Sequence, residues 1–178
     1  MDLINVLSEI CHSTSQPIIA IDGPAGAGKT TLAQTISLAL SPRMSTTVIH
    51  MDDLYNGWDF ALDENLTKTL VWLARSHKDE KPLKYSSFNW VLGSFDAGKE
   101  IPSSQLLILE GVGSSQRSVE ELITTSIWLD LDPQIGYQRV LDRDGENIAN
   151  SMTLWLATQE QHFRVEDTKE RCEFVLST

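Results

Sequence analysis

The chain is poor in cysteine, with only Cys11 and Cys172 among 178 residues. Two thiols without metal-type spacing cannot build a disulfide framework or a zinc cage. They are expected to be reduced, packing thiols of a cytoplasmic protein. Positive charge is also scarce: 14 Lys and Arg stand against 25 Asp and Glu, a net charge of −11. An excess of that sign repels nucleic acid and anionic membrane, so neither is expected as a partner. No apolar run approaches membrane-spanning length. The start of the chain carries Asp2 and Glu9 rather than a basic block and an apolar block, so it does not read as a secretory signal. Internal repeats, low-complexity tracts and linkers are lacking too. What remains is an ordinary globular balance, 41% hydrophobic and 22% charged, long enough for one domain with a real core. The negative charge does not exclude a local phosphate site, which needs only backbone N–H groups and a few placed cations.

Periodicity organises the chain. Leu3, Val6, Leu7 and Ile10 predict a helix over 2–11. The run PIIAI (17–21) predicts a buried strand, and 28–40 a helix stopped by Ser41 and Pro42. TTVIHM (46–51) reads as a second strand. A helix is expected over 63–75, then a Lys/Pro-rich turn and an irregular stretch, YSSFNWVLGSF. QLLILEG (105–111) and SIWLDLD (126–132) read as further strands. Pro133 opens a helix that Gly145 should end. A helix over 150–163 and a short strand, CEFVL (172–176), complete the pattern. Five strands alternating with helices imply an α/β fold, a parallel sheet with helices on both faces. The economical division is a single domain over 1–178, with one insertion at about 55–103.

The stretch from Gly23 to Thr30, GPAGAGKT, satisfies G-x-x-x-x-G-K-[ST], and Thr31 follows. It lies between a predicted strand and a predicted helix. Gly23, Gly26 and Gly28 let the backbone curl around Pro24, Ala25 and Ala27, so that consecutive N–H groups (Pro24 has none) can face inward around an anion. The helix dipole points at the same place. Lys29 supplies a mobile charge for terminal phosphates, and the Thr30 hydroxyl is a hard oxygen suited to Mg²⁺. Bound ATP with Mg²⁺ is the expected cofactor.

Two strand ends add acids. Glu110 closes LLILE, and Asp52 and Asp53 follow TTVIHM; in a parallel sheet, ligands sit outside those ends. Glu110 can hold Mg²⁺ directly or through water. A carboxylate after the second strand can orient an acceptor hydroxyl and take its proton. It can equally cap the next helix. Asp53 is the expected cap and Asp52 the expected base, with Asp52 also a candidate at the metal. Arg139 and Arg143 stand four apart on one helical face, before a glycine. They can clamp a migrating phosphoryl group, with a short lid at about 139–150, or they can pair with Asp142 and Asp144 on the surface.

GPAGAGKTT, MDDLY, LILEGV and RVLDRDG, in this order, resemble the uridine kinase-like branch of P-loop kinases. The resemblance runs from about Pro17 to Val175. It implies a three-layer P-loop kinase fold with a five-stranded parallel sheet, and phosphoryl transfer to a hydroxyl. By motif match it gives Asp52 the base position, Glu110 the metal-site acid and Thr30 the P-loop hydroxyl, and it places Arg139 and Arg143 in the lid. The branch carries a histidine in its insertion that helps hold a nucleoside. Here Gly93 stands at that place in FNWVLG.

Eight of the 13 aromatic residues fall in the insertion: Tyr55, Trp58, Phe60, Trp72, Tyr85, Phe88, Trp90 and Phe95. They can stack on an acceptor or form a satellite core, and both are expected. Tyr55, Trp58 and Trp90 are the candidate lining residues, and Lys84 could reach an anionic acceptor. The partner expected is a small-molecule hydroxyl acceptor, a nucleoside or similar; a homodimer is left open. Two rival readings are a nucleoside monophosphate kinase and a nucleotide-dependent switch with slow hydrolysis. The first should place several arginines in the insertion, where only Arg75 lies between Tyr55 and Pro102. The second needs no acceptor base.

Overall fold

The protein, described here over residues 2–178 by a computed structural model, opens with α1 (Leu3–His12), β1 (Ile18–Asp22), α2 (Lys29–Leu40) and β2 (Thr46–His50). A 3₁₀ turn, Met51–Asp53, leads toward α3 (Glu64–Lys78). Four short strands follow: β3 (Leu83–Tyr85), β4 (Phe88–Asn89), β5 (Ser94–Phe95) and β6 (Lys99–Ile101). The chain then runs through β7 (Leu106–Glu110), β8 (Thr125–Asp130), α4 (Pro133–Asp144), α5 (Ala149–Glu166), α6 (Thr168–Arg171) and β9 (Phe174–Ser177).

Five strands form one parallel sheet in the order β2-β7-β1-β8-β9. Strand alternation splits its side chains between two cores. Ile19, Ile21 and Ile108 pack with Leu7 of α1 and Ile36 and Leu40 of α2. Ile18, Leu107 and Leu109 pack on the other face with Leu66, Leu70 and Leu73 of α3, Val140 of α4 and Trp155 of α5. All five residues of β1 and of β7 are buried, which is why these segments read as unbroken apolar runs. Each such Leu or Ile contributes about 1.5–3 kcal/mol through burial.

Local signals set the helix ends. Asp63 accepts from the N–H groups of Asn65 and Leu66 and caps α3. Asp132 does the same for Gln134 and Ile135, with Pro133 in the first turn of α4. The expectation that Asp53 caps a helix fails. The chain does not enter α3 there; Asp53 closes the 3₁₀ turn, and its carboxylate meets Lys99 at 3.4 Å. The expected lid segment at about 139–150 takes regular structure. Gly145 turns the chain, and a 3₁₀ turn at Glu146–Ile148 runs straight into α5.

The irregular stretch in the insertion proves to be two small antiparallel pairs. β3 pairs with β6, and inside them β4 pairs with β5, Phe88 opposite Phe95. Strands of two or three residues show no alternation long enough to read in advance. Neither pair joins the parallel sheet. β3 packs into the core of the α3 face through Leu83 and Tyr85, whereas the β4–β5 hairpin is a flap that lies against the 3₁₀ turn after β2, where Trp90 reaches the Asp52 carbonyl.

Candidate active site

The sheet register brings the chemistry-bearing residues to one edge. Glu110 lies opposite Ile21 on one side and opposite His50 on the other. The exit of β1 into the glycine-rich loop, the end of β7 and the exit of β2 into MDDLY therefore meet outside the carboxyl end of the sheet.

The loop from Gly23 to Gly28 arches over the start of α2. Gly28 takes φ 88° at the helix N-cap, and among the described residues no atom beyond its chain neighbours and the helix's own backbone lies within 4 Å of where a Cβ would stand. The hollow over the helix N-terminus is thus open to a ligand. Gly26 does the opposite: a Cβ there would fall 2.5 Å from the Gly136 carbonyl oxygen. The loop and α4 touch backbone to backbone. Lys29 is buried, and its Nζ donates to the carbonyls of Gly23 and Pro24 at 2.8 Å each. An ammonium has three N–H groups, so one remains for an anion. Burial lowers the Lys29 pKa, and the nearby Asp22, Asp52 and Glu110 oppose that.

Two supports of this loop were not singled out from the sequence. Asp22 is fully buried at the end of β1. One carboxylate oxygen accepts from Gly23 N at 2.8 Å and Gly113 N at 3.1 Å. The other accepts from Ser115 N and Oγ, at 3.1 and 2.9 Å. Asp22 therefore ties the glycine-rich loop to the loop after Glu110. Gln159, also buried, accepts the Ala25 N–H at 3.1 Å. A charged residue closing an apolar strand was the available signal for Asp22. Gln159 gave none, because it looks like any polar residue of a helix.

The loop opens into a cleft of about 560 Å³, which Thr30, Asp52, Glu110, Arg139 and Arg143 all line. The Thr30 hydroxyl donates to Glu110 Oε1 at 3.0 Å, and His50 Nδ1 contacts the same oxygen. That hydrogen bond raises the His50 pKa against the effect of partial burial. His50 is the third residue missed in the sequence, although it ends β2 at the edge that carries Glu110. Among the described residues no cluster of three His, Cys, Asp or Glu side chains could hold a metal alone. A hydroxyl and one carboxylate, both hard oxygen donors, instead fit Mg²⁺ that arrives with phosphates and keeps several waters.

Asp52 sits on the 3₁₀ turn at the mouth of the cleft. Water reaches its carboxylate, yet the protein crowding it raises its pKa by desolvation, and the positive charge of Lys29 pulls the other way. Arg139 Nη1 donates to the Gly26 carbonyl at 3.3 Å, so one arginine leans on the loop. Arg143 forks onto its chain neighbour Asp144, at 2.7 and 2.6 Å. Of the two expected pairings, Asp144 takes the arginine, while Asp142 accepts from Gln138.

Opposite the loop stands an aromatic wall. Trp58 meets Trp90 edge-on at 5.3 Å and Trp155 at 6.3 Å, and Tyr55 meets Trp155 at 5.4 Å. The Tyr55 hydroxyl is already engaged, donating to the Val112 carbonyl at 2.8 Å, so Tyr55 offers only its ring. Tyr55, Trp58 and Trp90 all line the cleft; Trp155 of α5 joins them, unpredicted as lining because α5 is distant in sequence. Other insertion aromatics form the satellite core, with Phe88 against Trp90 and Phe95. Lys84 lies outside the cleft and pairs with Glu100 at 3.0 Å.

No family model and no curated protein matches this sequence. Solved structures do resemble it. A possible uridine kinase from Bacillus stearothermophilus superposes with TM-score 0.67, covering 97% of this chain and 96% of its own at 19% identity. A provisionally named fructose transport system kinase from Silicibacter sp. TM1040 gives TM-score 0.71, covering 98% of this chain and 99% of its own at 17% identity. This chain has the P-loop kinase fold. Both superpositions run along nearly the whole length of this chain and of the neighbour. At such identity the likeness speaks for architecture, and the chemistry rests on the cleft itself.

Proposed function

We propose that this protein is an ATP- and Mg²⁺-dependent kinase that transfers the γ-phosphoryl group to a hydroxyl of a small, uncharged acceptor. One observation carries the reading. A phosphate-type loop and the Asp52 carboxylate of the 3₁₀ turn open into one cleft, which an aromatic wall lines as well. A nucleotide switch has no use for the wall.

The roles follow from position. The N–H groups from Gly26 to Thr30 cradle the phosphates, and the free N–H of Lys29 meets their terminal oxygens. Thr30 and Glu110 are the residues that would hold Mg²⁺, which when bound offsets phosphate charge. Asp52 orients the acceptor hydroxyl and takes its proton; a raised pKa makes it a better base than an ordinary aspartate. Arg139 and Arg143 stabilise charge on the transferring group, Arg143 after exchanging Asp144 for phosphate oxygens. Tyr55, Trp58, Trp90 and Trp155 present faces and edges to a planar or apolar surface of the acceptor. Among the described residues, the acceptor side of the cleft bears no cation besides the lid arginines, which speaks for an uncharged molecule and against a nucleoside monophosphate. Nucleosides and sugars both meet that description.

The test is a panel of nucleosides, sugars, amino alcohols and nucleoside monophosphates, each incubated with ATP and Mg²⁺ while ADP release is followed. Acceptor-dependent release with an uncharged compound supports the reading. Release only at an acceptor-independent rate would identify a hydrolysing switch instead.

A further inference from the structure

We propose that His50 is the positioning residue that holds Glu110 by one carboxylate oxygen and leaves the other available to a metal ion. The inference rests on the reading of Glu110 as the metal-site acid. It starts from the sheet. His50 and Glu110 are register partners at the ends of β2 and β7, so their side chains leave the sheet side by side. His50 Nδ1 contacts Glu110 Oε1, and the Thr30 hydroxyl donates to that same atom. Two donors therefore converge on Oε1, and Oε2 takes no hydrogen bond among the described residues. A carboxylate held by one oxygen presents the other.

The two donors are not equivalent. The Thr30 hydroxyl rotates freely, and its oxygen is itself a candidate for the cation. His50 offers a rigid ring on a strand whose position the sheet ladder sets. It can hold Glu110 in one rotamer whether or not Thr30 is engaged elsewhere. Orienting the carboxylate beforehand removes an ordering cost from metal binding, and outer partners of metal-binding side chains typically change affinity about 10- to 100-fold. The role requires the Nδ1 donor, whatever the total charge on the ring.

Two substitutions separate the donor from the ring. His50→Phe keeps a ring and loses the nitrogen; His50→Asn keeps an N–H at about the place of Nδ1 and loses the ring. Both are set beside Glu110→Gln. The readout is Mn²⁺ affinity of the protein bound to a non-hydrolysable ATP analogue, measured by electron paramagnetic resonance. Analogue binding in excess chelator serves as the reference. We expect His50→Phe to weaken Mn²⁺ binding about tenfold and His50→Asn to stay within a few-fold of the parent, with metal-free analogue binding equal in all. In turnover, His50→Phe should raise the Mg²⁺ concentration for half-maximal rate and leave the saturated rate nearly intact. Unchanged Mn²⁺ affinity in His50→Phe, or equal losses in the Phe and Asn variants, overturns the role of His50. If Glu110→Gln leaves Mn²⁺ affinity untouched as well, the reading of Glu110 as metal-site acid falls with it.

Discussion

Trp90 donates its indole N–H to the backbone carbonyl of Asp52 at 3.1 Å. The flap that bears Trp90 is thereby fastened to the residue proposed as base, and Trp90 also packs edge-on against Trp58. Trp90→Phe keeps an aromatic ring and deletes the bond. It should lower kcat by several-fold and raise the acceptor KM, while the ATP KM stays put. Trp58→Ala, which opens the wall without touching Asp52, should raise the acceptor KM with a smaller effect on kcat. Steady-state kinetics with the acceptor varied at saturating ATP would separate the two patterns. Equal effects on ATP and acceptor would refute the division of the cleft.

Asp52→Asn should reduce kcat by about 10²- to 10⁴-fold, the usual contribution of a positioned base. The same substitution should make the protein slightly more stable at neutral pH. Desolvation raises the folded-state pKa of Asp52 above its unfolded value. The folded form then holds the proton more tightly, so stability falls as pH rises through that window. Asparagine avoids the penalty; the gain is small because water reaches the carboxylate. A thermal midpoint below that of the parent at pH 7 would argue that Asp52 is structural.

Arg143→Ala should cost about 10²-fold or more in kcat with little change in ATP dissociation constant. Asp144→Asn tests the same arginine from the other side. It removes the carboxylate that Arg143 grips at 2.6 and 2.7 Å in the free protein. Releasing the arginine should leave transfer equal or faster. If both substitutions lower the thermal midpoint and neither changes single-turnover rate, the arginine is only a surface ion pair.

Gly136→Ala should destabilise the protein, against the usual preference of helices. Alanine in mid-helix is worth about 1 kcal/mol over glycine. Here its Cβ would stand 2.4 Å from the Ala25 carbonyl oxygen, a backbone atom that cannot step aside alone. Overpacking of that kind costs about 1–3 kcal/mol, and a chain of this size loses about 2–4 °C per kcal/mol. The ATP KM should rise as well, because the atom displaced belongs to the phosphate loop. A higher midpoint with unchanged KM would contradict the contact.

His77 should make the fold acid-sensitive well away from the cleft. Burial lowers its pKa to about 4, and the ring bonds to the Pro17 carbonyl at 3.0 Å. The unfolded chain takes a proton near pH 6.5, whereas the folded one does not. Stability should therefore be lost as pH falls from about 6.5 toward 4. His77→Gln should flatten that part of the curve in a denaturation series, whatever its effect at pH 7.

The sheet, the phosphate loop and both strand-end acids could be read from the sequence because each is a local pattern. Buried parallel strands give unbroken apolar runs, and GPAGAGKT, MDDLY and LILEG carry their chemistry within a few neighbours. The residues that escaped notice act through distant partners. His50 matters only because the register sets it opposite Glu110, and Gln159 only because α5 returns to Ala25. Asp53 was misassigned because an acid before a helix looks alike whether the helix starts at once or, as here, ten residues later at Asp63. The two short strand pairs of the insertion were invisible for want of length.

Helix α5 presents Trp155 to the aromatic wall and, one turn on, Gln159 to Ala25 of the phosphate loop. One rigid rod thus touches both the aromatic wall and the glycine-rich loop. The hairpin carrying Trp90 has no such double duty; it stands outside the parallel sheet. The two contributors to the wall should therefore differ in how freely they can be rewritten. Exchanging the hairpin for one of another sequence should redirect acceptor choice and spare nucleotide affinity. Any comparable change along α5 would be felt at both ends of the transfer. Diversification of acceptors among chains of this architecture should then concentrate in the hairpin and leave the helix comparatively still.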